Sequence, residues 1–190
     1  IMTYGRASLD KQLTWNCLSN QDRERTIFAC RPQEQKFFSS LANTFVLKNA
    51  TDLKSTRQEI WNHFTKKYEF WTQIDDDTKS FRELMSCDLT RKPMFDWEPC
   101  DSHKALNAAE QYIVKKKDVG TCSPLQPFKP PRIPKSDPRW STSLVVGCNV
   151  FASERFNDFR FTSNYCADAE MILTMLSKGL DTVWLDNYQI

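Results

Sequence analysis

Six of the nine prolines of this 190-residue chain fall between Cys122 and Trp140, at Pro124, Pro127, Pro130, Pro131, Pro134 and Pro138. Proline has no backbone N–H and fixes φ, so a stretch this rich in it is expected to form neither helix nor central strand. It reads as an extended, polyproline-like crossover on the surface. That divides the chain into residues 1–121, the crossover 122–140, and residues 141–190, expected to pack as one globular domain.

Ahead of the crossover the pattern is mostly helical. Thr44 to Lys48 is strand-like. Ile60, Phe64, Tyr68 and Trp71 recur at helical spacing and predict a helix over 55–71, with Ser55 as cap and Gln58 completing a capping box. Asp75, Asp76 and Asp77 then read as the acidic start of a second helical run, whose apolar side is Phe81, Leu84 and Met85. A third helix is expected over 101–117, capped by Asp101 or Ser102, burying Ala105, Ala109, Tyr112 and Ile113, with Gly120 just beyond its end. Lys115, Lys116 and Lys117 complement that helix's C-terminus.

Behind the crossover, residues 143–151 alternate, with Leu144, Val146, Cys148 and Val150 on one face. Phe159 and Phe161 suggest another strand. A helix over 167–178 buries Ala169, Ile172, Leu173 and Leu176 and stops at Gly179, and 180–185 is a last strand. The fold class predicted is therefore α+β: a helical N-terminal two-thirds, then a small β-α-β unit.

Seven cysteines, Cys17, Cys30, Cys87, Cys100, Cys122, Cys148 and Cys166, occur with no CxxC pair. They are too far apart for a zinc site, and only His63 and His103 are available beside them. With the sequon Asn49-Ala50-Thr51, they point to a secreted or extracellular, disulfide-stapled glycoprotein, Asn49 carrying the glycan and all seven cysteines being candidates for pairing.

Several function classes drop out. Four glycines leave no GxGxxG or GxxxxGK loop. Twenty-six basic against 24 acidic residues argue against a nucleic-acid partner, and no apolar run is long enough to span a membrane. Neither histidine sits in a nucleophile-elbow pattern. The aspartate triplet lacks the alternating ligands and glycine of an EF-hand. No cofactor or metal is expected, and the reading leans away from an enzyme. What remains is a protein-interaction module that binds a protein partner or receptor.

Two segments resemble known families. Phe45-Val46-Leu47-Lys48-Asn49 followed by Phe70-Trp71 is similar to a stretch of the ADP-ribosyl cyclase/NAD glycohydrolase family. The resemblance implies that Trp71 lines a nicotinamide pocket. The family's Thr-Leu-Glu-Asp motif is missing, Glu83 standing nearest to it. Residues 170–190, with Gly-Leu-Asp-Thr-Val-Trp-Leu-Asp, resemble the first-lobe pattern of transferrins. That implies Asp186 as a ligand at a strand's carboxyl end, in a small-ligand or metal-binding lobe.

Overall fold

A computed structural model describes residues 1–3, 6–88, 94–125 and 147–190. The first part carries three short helices and two short strands: α1 (Leu13–Cys17), α2 (Asn20–Glu24), β1 (Ile27–Cys30), α3 (Gln35–Phe38) and β2 (Asn43–Val46). Then come α4 (Leu53–Lys67), β3 (Phe70–Ile74), β4 (Arg82–Asp88), β5 (Met94–Pro99), α5 (Ser102–Lys115), β6 (Val119–Leu125), β7 (Cys148–Ala152), α6 (Ala167–Ser177) and β8 (Asp181–Gln189). β1 and β2 pair in parallel. The other six strands form one mixed sheet in the order β3-β7-β6-β8-β4-β5.

The sheet is covered on both faces. Trp71, Phe151 and Trp184 pack with Ile60, Trp61 and Phe64 of α4 and with Met171, Ile172 and Met175 of α6. Cys122, Val150, Ala152, Val183 and Leu185 pack with Ala109 and Ile113 of α5. Trp61, 1% exposed, meets the rings of Trp71, Phe151, Phe156, Phe159 and Phe161 at centroid distances between 5.1 and 6.2 Å. Edge-to-face packing of this kind adds to simple burial.

The molecule is mixed α/β, and the helical front with a disulfide staple is overturned on three counts. First, α4 ends at Lys67, and Trp71 belongs to β3, where it pairs opposite Phe151. The cap is Asp52, one turn earlier than expected: its carboxylate accepts from the Ser55 N–H (2.7 Å) while the Ser55 hydroxyl accepts from the Asp52 N–H (3.0 Å). Second, the run after Asp77 is strand. The i, i+3, i+4 spacing of Phe81, Leu84 and Met85 mimics a helix, but β4 pairs β5 on one side and β8 on the other, leaving Met85 exposed. Third, six of the seven cysteines are free thiols, and the side chain of Cys87 lies outside the described residues.

The proline rule also fails locally. β6 is an interior strand that includes Cys122 and Pro124. Its pairing with β7 ends at Cys122, so at Pro124 no N–H is required on that side, and Pro124 pairs only with Leu185 of β8. The remaining prolines, and Leu144 and Val146, lie outside the described residues.

Other elements follow the sequence closely. α5 is capped by Asp101, whose carboxylate accepts from the His103 N–H. Gly120, expected as a helix stop, is instead a strand residue. A Cβ there would come within 3.0 Å of Met175 Sδ, so its small size lets α6 lie close on β6. α6 is rotated from its expected stripe: Ala167, Met171, Ile172 and Met175 are buried and Leu173 is exposed. Gly179 adopts φ +74°, the left-handed stop. Phe159 and Phe161 form no strand but are buried as core aromatics. Nor is there a local β-α-β pair, because β6 lies between β7 and β8.

Candidate functional site

β3 is an edge strand, and its hydrogen bonds show which groups it leaves open. The Ser153 N–H donates to the Glu69 carbonyl, and the Asp75 N–H donates to the Gly147 carbonyl, both at 2.9 Å. Antiparallel ladders alternate, so residues 69, 71, 73 and 75 bond toward β7 while Phe70, Thr72 and Ile74 face the other way. The Met2 N–H confirms this by donating to the Ile74 carbonyl at 3.3 Å.

On its far side the same N-terminal segment meets β1. Thr3 donates to the Ala29 carbonyl (3.2 Å), Ala29 to the Ile1 carbonyl (2.9 Å), and the Ile1 amino group to the Ile27 carbonyl (2.9 Å). Met2 thus bridges in parallel to both Ala29 and Asp75. At this point the gap between β1 and β3 is one strand wide, and residues 1–3 fill it.

The gap between β1 and β3 holds a cleft of about 270 Å³, bordered by Ile1, Thr26 and Ile27 on one side and by Phe70, Trp71, Thr72, Gln73 and Ile74 on the other. The strand alternation turns Phe70 C=O, Thr72 N–H and C=O, Ile74 N–H and Ile27 N–H into it. Its walls are apolar: Ile60 and Phe64 from α4, Leu18 and Leu106 from the opposite face. Backbone donors and acceptors between apolar walls are what an added β-strand satisfies.

Charge lies at the rim. Arg25 reaches Asp22 at 2.9 Å and Glu110 at 3.6 Å, and all three border the cleft. Burial alone would raise the Asp22 carboxyl, but hydrogen bonds from Ser102, His103 and Arg25 outweigh it and hold it below its usual range. Ser102, His103 and Asp22 meet here without forming a catalytic triad. The Ser102 hydroxyl donates to Asp22, and His103 Nδ1 lies 3.2 Å from the other oxygen of the same carboxylate. The carboxylate is the hub, and it ties α2 to α5; the imidazole is not aimed at the serine as a base would be. His63 stacks on Phe45 at 4.0 Å, and burial together with Lys67 keeps its pKa below the usual value.

The residues singled out in the sequence scatter. Trp71 is 8% exposed, stacked with Phe64 at 5.4 Å, and borders the cleft, but as part of the aromatic core. Asp186 lies within β8, not beyond its carboxyl end. Asn49 is exposed on the β2–α4 connection, where its backbone N–H donates to Glu59. Burial raises the thiols of Cys17 and Cys30 to about 11 and also raises Cys122 and Cys148, so none of these is an activated nucleophile. The open backbone of β3 had no sequence signal, because any strand sequence supplies it. The Asp22/Arg25 pair had a faint one in its i, i+3 spacing.

The chain matches no protein-family model, no curated protein and no solved structure. Among the described residues no helix is long and apolar enough to cross a membrane.

Proposed function

We propose that this chain is a protein-interaction module without catalytic activity, which takes up an extended peptide segment of its partner as a strand between β1 and β3. The observation that carries the reading is the open backbone of Phe70, Thr72, Ile74 and Ile27 facing across a gap that residues 1–3 occupy at one end. Main-chain hydrogen bonds would supply affinity, and the apolar walls on both faces of the sheet would select β-branched side chains. An extracellular setting remains part of this proposal. It rests on the exposed Asn49 sequon and no longer on disulfides. Expression in a glycosylating secretory host, with Asn49→Gln as control, tests that part by mass.

The binding test uses a Val/Ile-rich hexapeptide carrying a solubilising lysine pair at its amino end, followed by intrinsic tryptophan fluorescence. Saturable binding is expected, and it is expected to weaken roughly tenfold in Thr72→Pro, which removes an N–H that faces the cleft and puts Cδ in the way of an added strand. Equal binding to both forms would show that the peptide sits elsewhere.

A further inference from the structure

A second cleft, of about 570 Å³, opens on the other side of the Ile1–Thr3 segment, bordered by Met2, Thr3, Arg6, Asp52, Leu53, Thr56, Asp75, Asp76 and Asp77. Four aspartates face one arginine there. Arg6 is already paired with Asp76 at 2.8 Å. Asp52 caps α4 and also accepts from the Asn164 side chain at 3.2 Å. The turn is clamped by Thr14, whose N–H donates to the Asp76 carbonyl and whose hydroxyl donates to that of Asp75 and accepts from the Thr78 N–H. The Asp75 and Asp77 carboxylates accept no hydrogen bond from the described residues, so they are free to receive one. A second observation points to a ligand. Thr3, 1% exposed and bordering this cleft, has a hydroxyl with no hydrogen-bond partner. A buried hydroxyl left unpaired is costly and seldom kept without use.

The donor set selects the ligand. Carboxylates accept only, and a hydroxyl accepts as well as donates, so the complement is a group rich in N–H donors. A bare metal ion fits poorly: among the described residues no three Asp, Glu, His or Cys side chains converge enough to hold one, and the volume is many times the ~30 Å³ share of one water. Met2 and Leu53 offer apolar wall to a methylene chain. We propose that this cleft binds a small linear aliphatic amine, with one ammonium between Asp75 and Asp77 and hydrogen-bonded to Thr3, and its methylenes on Met2 and Leu53.

The charges around Asp75 make the binding pH-dependent. Burial raises Asp75 to about 6, with Arg57 of α4 opposing and Asp168 of α6, Asp77 and Asp76 adding to the rise. The Ile1 amino group and the Cys148 thiol also face it. An ammonium binds the ionised carboxylate, so affinity should rise with pH through about 6.

Calorimetric titration with spermidine at about pH 7.5 and about pH 5 tests this. We expect saturable binding with a Kd below about 1 mM at the higher pH, and at least tenfold weaker binding at the lower. Asp75→Asn should remove both the binding and its pH dependence. Asp77→Asn, at an exposed position, should weaken it severalfold, and Thr3→Val likewise. Binding unchanged in Asp75→Asn and Asp77→Asn, no saturation at about 1 mM, or a heat signal from calcium or magnesium but not from spermidine would each overturn the assignment.

Discussion

Proline substitutions at two adjacent positions, Thr72 and Gln73, distinguish the two edges of β3. By the alternation fixed at Glu69 and Asp75, the Gln73 N–H bonds to Asn149 of β7, whereas the Thr72 N–H faces the cleft. Gln73→Pro deletes a ladder bond and leaves the carbonyl of Asn149, a residue 3% exposed, without its donor. A lost bond plus an unsatisfied buried carbonyl, with the ring pressing on β7, should cost about 3 kcal/mol or more. In a chain of this length that lowers Tm by roughly 6–12 °C. Thr72→Pro places the missing N–H where no bond exists, as natural edge strands do, and should cost under about 1 kcal/mol. The same substitution removes one hydrogen bond to an added strand and puts Cδ in its way, weakening the hexapeptide roughly tenfold. Thermal denaturation of the two variants, paired with fluorescence titration of Thr72→Pro, checks both halves. Equal losses of stability would show that the outer edge of β3 is not free, and the reading of the cleft as a strand site would fail.

Trp61→Ala should remove the hub of the aromatic core and cost about 3–5 kcal/mol, seen in urea unfolding, whereas a rim change such as Arg25→Ala should leave stability within about 1 kcal/mol. Asp75 has a raised folded-state pKa, so the native state holds its proton up to about pH 6 and loses stability as pH rises from about 4 to that point. Asp75→Asn should therefore raise Tm at neutral pH and leave it unchanged near pH 4; a fall at neutral pH would contradict the assigned burial. A disulfide-exchanging thiol reagent should modify the exposed Cys166 in native protein, but Cys30, Cys122 and Cys148 only after unfolding. Failure of those three to react in denaturant without reductant would restore the disulfide reading.

Much of the helical structure was legible because its signals are local. Asp101 before an apolar stripe, and Gly179 after one, define α5 and the end of α6 from a few neighbouring residues. The strands were less so. Phe81, Leu84 and Met85 carry a helical period, and only pairing of β4 with β5 and β8, whose residues lie far along the chain, overrides it. Pro124 forbids a central strand only where both edges need donors, a condition set by where β7 stops. The cysteines misled because a thiol in an apolar core is as acceptable as a small hydrophobe, and Cys30, Cys122 and Cys148 are used in that way. The candidate site was the least legible part: its functional groups are main-chain N–H and C=O, which every residue but proline possesses.

Residue-resolved amide hydrogen exchange with and without the hexapeptide shows whether an added strand pairs between β1 and β3. The amides of Ile27, Thr72 and Ile74 should become protected when peptide is added, while those of Trp71 and Gln73, already bonded to β7, should change little. Peptide binding that leaves Ile27, Thr72 and Ile74 unprotected would contradict that pairing.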